Sequence, residues 1–192
     1  YTALANGMSL KLLFEQLKDI RREVDIPLLL MGYLNPVLQF GIDAFCARCA
    51  ETGIDGTILP DLPLEIFLEE FKPAYERQGI HNVFLATPQT SDERFRELDR
   101  HSGGFLYMVA ASSITGSREG FEDYQQQYFE RVQNMQLHLP RLIGFGISSK
   151  ATFDHACRYA NGAIIGSAFV KALEMEGDLN TIIRDFVKMI RG

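Results

Sequence analysis

Positive charge is what this chain is short of. Its 192 residues hold 19 Lys and Arg against 25 Asp and Glu, for a net charge of −6. That balance excludes a general surface for nucleic acid or anionic membrane, though not a local phosphate site made of backbone amides. No apolar run approaches the ~20 residues of a membrane span, and no stretch has the pattern of a signal peptide, so a cytoplasmic protein is expected. Cysteines number only three, an odd count that argues against a disulfide framework and for a reducing compartment. Cys46 and Cys49 have the spacing of a redox motif but lie along an apolar helical stripe, where they read as packing residues. The four histidines, His81, His101, His138 and His155, show no metal-ligand spacing, and no metal is expected. Linkers, low-complexity runs and composition breaks are missing too, which implies one domain over residues 1–192.

What the chain does have is a regular alternation of helix and strand. Leu10, Leu13, Phe14, Leu17 and Ile20 recur at helical spacing behind Ser9, a plausible N-cap. Short apolar runs at Pro27–Met31, Gly56–Pro60, Val83–Ala86, Phe105–Val109, Leu142–Gly144 and Ala163–Ile165 read as six strands. Helices are expected between them at about 42–52, 65–78 (irregular near Pro73), 91–98, 124–132 and 151–159, and two more close the chain at 168–173 and 179–190. Strands that are apolar throughout rather than alternating, each followed by one helix, imply parallel pairing with both faces covered. Tyr33, Asn35, Asp61, Thr87, Gly146 and Gly166 fall at the C-terminal ends of successive strands. A barrel spreads such residues around a ring, whereas an open sheet gathers them at one switch point, so the pattern favours a TIM barrel.

Two stretches carry the most information. Leu142-Ile143-Gly144-Phe145-Gly146-Ile147-Ser148 and Gly162-Ala163-Ile164-Ile165-Gly166-Ser167-Ala168 each run from an apolar strand through glycine into a helix start. Glycine lets the backbone approach a ligand, and the free N–H groups with the helix dipole favour an anion. One copy alone would read as a tight turn, but two in succession point to a phosphorylated small molecule.

The wider pattern resembles the tryptophan synthase alpha subunit family. Met31-Gly32-Tyr33-Leu34-Asn35-Pro36-Val37 with Phe40–Phe45 resembles its third strand and helix, and Leu59-Pro60-Asp61-Leu62-Pro63-Leu64-Glu65 its fourth strand. Ile114-Thr115-Gly116 and the two glycine stretches match its sixth, seventh and eighth loops, in order and over essentially the whole chain. The resemblance implies a TIM (β/α)8 barrel, here only strands three to eight with their helices. It implies a lyase that cleaves indole-3-glycerol phosphate to indole and glyceraldehyde 3-phosphate in tryptophan biosynthesis, working with a beta subunit. No cofactor is implied for this chain, pyridoxal phosphate belonging to that partner.

By the same resemblance, the amides of Gly116, Gly146, Gly166 and Ser167, with the Ser167 hydroxyl, hold phosphate. Phe145, Met31, Ile58 and Tyr107 form a flat apolar slot for indole. Thr115 matches a family threonine that meets a catalytic aspartate. The family's catalytic glutamate and aspartate precede the part that this chain matches, so no catalytic residue is assigned here and the chain alone is expected to be inactive. Tyr107 and Asp61 are auxiliary candidates; Asp61, between two prolines, reads equally well as a cap or turn residue. Ala111 and Ser113 stand where many relatives have arginine and glycine. Six strands without their two neighbours would also leave open edges, for which self-association or a separately supplied segment is expected. Two other readings stand beside this one: a non-catalytic module binding a phosphate ligand or a beta-type partner, and another phosphate-binding barrel enzyme. The Tyr33–Pro36 and Pro60–Pro63 segments speak against the latter.

Overall fold

The computed structural model describes residues 5–110, 123–144 and 146–192. Contacts divide the chain into two compact units, residues 1–84 with 101–104 and residues 85–100 with 105–192.

In the first unit, α1 (Leu10–Leu17) starts where predicted, with the Leu12 N–H donating to Ser9 Oγ at 3.2 Å. It buries Phe14 against Phe40 and Phe45, at ring separations of 5.7 and 5.9 Å. Strands β1 (Leu29–Met31), β2 (Gly56–Ile58) and β3 (His81–Val83) form a parallel sheet in that order. β2 is central and buried throughout, but β1 is an edge and Met31 is 55% exposed. The expectation of a first strand buried on both faces is therefore corrected: Leu29 and Leu30 are half-buried and Met31 exposed, and among the described residues β1 pairs with β2 alone. Between β1 and β2 lie α2 (Leu34–Phe40) and α3 (Ile42–Glu51). α2 is a helix beyond those expected from the apolar pattern; Pro36 in its first turn and Gly41 at its end (φ +90°) are its local signals. α3 buries Cys46 and Cys49, whose thiols burial pushes up to about 11 and about 12. Both are packing residues held as inert thiols.

After β2, the chain runs through α4 (Leu64–Ile66), a π-helical turn (Phe67–Phe71) and α5 (Lys72–Gln78). Pro73 is the cause of the irregularity. In an unbroken α-helix its ring would meet the carbonyl four residues back; the wider turn, in which the Lys72 N–H reaches the Phe67 carbonyl, relieves that clash.

One side chain ties the start of this unit to its sheet. Gly53 ends α3 at φ +74°, and any Cβ there would strike the Arg21 side chain. The Arg21 guanidinium donates to the carbonyls of Gly53 (2.7 Å from Nε) and Ile26 (2.7 Å) and pairs with the Asp55 carboxylate. Arg21→Ala is expected to lower stability by about 2 kcal/mol, the scale of several charge-assisted bonds in a half-buried site; urea unfolding measures it.

Asp55 adds a pH dependence. The Leu28 N–H, at 2.7 Å, and then Arg21 hold its carboxyl below the usual carboxylate range. A lowered native pKa gives stability that is complete above the unfolded carboxyl's pKa, about 3.9, and is lost as pH falls through the native value. Asp55→Asn should flatten that acid limb of a stability-against-pH curve and leave neutral behaviour otherwise parallel.

In the second unit, β4 (Leu85–Ala86), β5 (Leu106–Val109), β6 (Arg141–Gly144) and β7 (Gly162–Ile164) form a parallel sheet in chain order. The single strand expected over Val83–Ala86 is two, interrupted at Phe84: β3 ends the first sheet and β4 begins the second. Helices α6 (Asp92–His101), α7 (Asp123–Asn134), α8 (Lys150–Cys157), α9 (Ser167–Leu173) and α10 (Leu179–Arg191) follow the strands. Phe95, Leu106, Met108, Phe129, Val132 and Ile143, all without exposed surface, make the core of this unit. Among the described residues no helix is long and apolar enough to cross a membrane.

Candidate functional site

Parallel strands put their loops and the following helix N-termini at one end, and the site residues gather there within each unit. In the first unit, register sets Met31 beside Ile58, the former exposed and the latter buried. Three residues on, both oxygens of Asp61 accept the Leu34 N–H, at 2.9 and 3.1 Å. Tyr33 supplies no side-chain cap to α2, so Asp61 does so from the next loop, a carboxylate at the positive end of a helix. That contact joins the two segments that carried the resemblance. It also gives Asp61 a structural task.

In the second unit, β6 and β7 pair with a constant offset from Leu142↔Gly162 to Gly144↔Ile164. Gly146 and Gly166 each follow the last paired residue of these adjacent strands by two positions in the sequence. Gly146 is exposed with φ +79°, a left-handed conformation that favours glycine. Gly166 is different. Its φ of −109° is open to any residue, and a Cβ there would meet nothing within 4 Å.

The two helix starts also differ. At α8 the Ser149 hydroxyl accepts the Thr152 N–H at 3.3 Å, and Thr152 Oγ1 accepts the N–H groups of Ser148 and Ser149, both at 3.1 Å. That reciprocal cap occupies the N–H groups of Ser148, Ser149 and Thr152, so an anion at the first loop would have to use the amides that it leaves. At α9 no side chain caps the helix, and Gly166 and Ser167 are exposed. The second loop keeps its donors open.

Tyr107, on β5, is 4% exposed, and burial raises its hydroxyl above the ordinary phenol range, which keeps it protonated. Its ring lies over Gly144, where a Cβ would overlap it. Phe145, Thr115 and Gly116 lie outside the described residues.

Three side chains of α7 were not singled out from sequence. Gln125 Nε2 donates to the Ala110 carbonyl at 2.7 Å, the Tyr128 hydroxyl to Ala86 at 3.0 Å, and Arg131 to Pro88 and Thr90 at 3.2 and 3.0 Å. They hold the carbonyls at the C-terminal ends of β4 and β5 and the loop after β4. Their signal was a polar series at i, i+3 and i+6 beside buried Phe129 and Val132, which the apolar pattern masked. Among the described residues no three His, Cys, Asp or Glu groups come together as metal ligands.

Parallel strands alternating with helices, with ligand-ready loops at the strand ends, define an α/β protein of the (β/α)8 barrel class. The family model for the tryptophan synthase alpha chain matches residues 1–189. The chain is 54% identical over 189 residues to the tryptophan synthase alpha chain of Flavobacterium johnsoniae, covering 98% of itself and 74% of that protein. With the Christiangramia forsetii protein of that name the identity is 51%, covering 98% and 73%. A mutant tryptophan synthase alpha-subunit from Pyrococcus furiosus superposes with a TM-score of 0.86 at 31% identity, covering 98% of this chain and 76% of that one. The Campylobacter jejuni alpha subunit gives 0.83 at 27%, covering 97% and 73%. The chain belongs to the tryptophan synthase alpha chain family, and its class is that of a lyase of tryptophan biosynthesis.

Proposed function

We propose that the chain serves the cleavage of indole-3-glycerol phosphate to indole and glyceraldehyde 3-phosphate, in the cytoplasm and beside a beta subunit. Its own contribution is the grip on phosphate and indole. The amides of Gly116, Gly146, Gly166 and Ser167 and the Ser167 hydroxyl receive the phosphate. Phe145, Met31, Ile58 and Tyr107 receive the ring, Thr115 matches the family threonine that meets a catalytic aspartate, and Tyr107 and Asp61 assist. The observation that carries this reading is Gly166: an exposed glycine at the open start of α9, where a Cβ would meet no described atom within 4 Å, following the strand next to the one that leads to Gly146. A ligand oxygen drawn up to the backbone supplies the missing reason for the absent side chain.

The chemistry needs a proton delivered to the ring carbon and protons removed from the ring nitrogen and a glycerol hydroxyl. Positioned acids and bases contribute about 10²–10⁴-fold at such steps. The carboxylates that the family resemblance assigns to them have no counterpart in these 192 residues, so the chain alone should bind the substrate without releasing indole. Calorimetric titration with indole-3-glycerol phosphate, alongside an indole assay, tests both statements. Gly166→Val should weaken binding by about tenfold or more, equivalent to about 1.4 kcal/mol, with the fold intact by circular dichroism. Unchanged affinity would remove the phosphate from this loop, and indole release by the chain alone would place the acid–base groups among residues present here.

A further inference from the structure

Two hydrogen bonds hold the chain where it leaves β1 for α2, and both acceptors belong to the segment at the end of β2. The Gly32 N–H donates to the Ile58 carbonyl at 3.2 Å, one residue past the last paired position, Met31 beside Ile58. Two residues on, the Leu34 N–H donates to both Asp61 oxygens. Leu34 opens α2, so its amide has no acceptor within its own helix, and the Tyr33 side chain supplies no cap. The run from Met31 to Leu34 is thus fixed at its far end by one carboxylate.

That carboxylate is itself firmly presented. The Leu62 N–H donates to the Leu59 carbonyl at 3.1 Å, closing a four-residue turn with Pro60 and Asp61 at its centre. Pro60 presets the backbone of the first central position. Leu59 and Leu62, each 4% exposed, anchor both ends of the turn in the core. The core therefore fixes Asp61, and Asp61 fixes the start of α2. With both oxygens on one backbone N–H, the carboxylate is arranged as a cap.

We propose that Asp61 is a positioning residue for the ring: through the Leu34 amide it keeps Met31 in place beside Ile58, and so assists by geometry, not by moving a proton. This rests on the assignment of Met31 and Ile58 to the indole ring made above. The intact chain is titrated calorimetrically with indole-3-glycerol phosphate and with glyceraldehyde 3-phosphate, which has the phosphate without the ring. Exchange of the Leu34 amide is followed by NMR. Asp61→Ala should speed that exchange by about tenfold or more. It should raise the Kd for indole-3-glycerol phosphate by about tenfold and that for glyceraldehyde 3-phosphate by less than about twofold. Asp61→Asn keeps an oxygen for the Leu34 N–H and should recover most of both losses. Ser9→Ala, which removes the cap of α1 instead, should leave both affinities as they were. The proposal is overturned by an unchanged Leu34 exchange rate in Asp61→Ala, by an equal loss for the two ligands, or by the same loss in Ser9→Ala. An Asp61→Asn chain as defective as Asp61→Ala would overturn it too, and assign the role to the carboxylate's charge or proton. A parent chain that binds neither ligand would take down the proposed function and this inference with it. A parent that binds both, beside an Asp61→Ala chain of equal affinity, would take down this inference alone.

Discussion

Gly144→Val is expected to be among the most damaging single changes in the second unit, costing about 3 kcal/mol or more. Gly144 is buried at the end of β6, two residues before the first glycine loop. A Cβ there would overlap the Tyr107 ring, which is itself 4% exposed and cannot swing into solvent. Overpacking of a filled core costs roughly 1–3 kcal/mol and more when neither neighbour can yield. Here neither does: Gly144 is held by ladder pairing to β5 and β7, and its carbonyl accepts the Ala110 N–H at 2.9 Å. Against a total stability of about 5–15 kcal/mol, that is a large fraction. Denaturant unfolding gives the number, and a cycle with Tyr107→Ala gives the mechanism. If the ring is the obstacle, the double variant should be more stable than the sum of the two losses predicts. A fully additive pair would show that Gly144 is constrained by something else. Tyr107 therefore has a packing duty alongside the pocket duty proposed for it.

The strands and most helices were legible because their apolar runs are short, continuous and evenly separated. The two glycine stretches were legible as strand-to-helix turns, and the structure puts the strands that lead to them side by side. What was hidden depends on contacts between distant residues. The bifurcated hydrogen bond from the Leu34 N–H to Asp61 spans 27 positions, and no local pattern announces that a loop carboxylate will cap another loop's helix. The same applies to Arg21, whose partners at Gly53 and Asp55 lie more than thirty residues on. The exposure of Met31 escaped notice because a central and an edge strand share one composition, and only neighbour count separates them. The difference between the two glycine loops was within reach. Ser149 and Thr152, three apart at a helix start, spell a cap that closes α8, and no such pair follows Gly166.

Thr57→Val should cost about 3 kcal/mol although it barely alters volume. Thr57, Tyr75 and Asn82 are 0%, 1% and 2% exposed, and they form one hydrogen-bonded chain between β2, β3 and α5. The Thr57 hydroxyl donates to Asn82 Oδ1 at 3.0 Å, which leaves its oxygen to accept from the Tyr75 hydroxyl at 2.9 Å. Burial raises the Tyr75 phenol far above its ordinary range, so it remains the donor that this arrangement needs. Among the described residues Asn82 Nδ2 has no hydrogen-bond partner, so the amide's one bond in this network is through Oδ1. Valine at 57 would strand the Tyr75 hydroxyl and Asn82 Oδ1 together, each such buried group costing about 1–3 kcal/mol. Tyr75→Phe removes a donor but strands nothing, because Thr57 keeps its bond to Asn82; about 1 kcal/mol is expected. The order of the two losses is the test. In the double variant, Tyr75→Phe should recover part of what Thr57→Val loses, because the phenol it removes is one of the stranded groups. Urea midpoints that rank Tyr75→Phe as the worse variant, or a Thr57→Val protein as stable as its parent, would refute the network's direction as drawn.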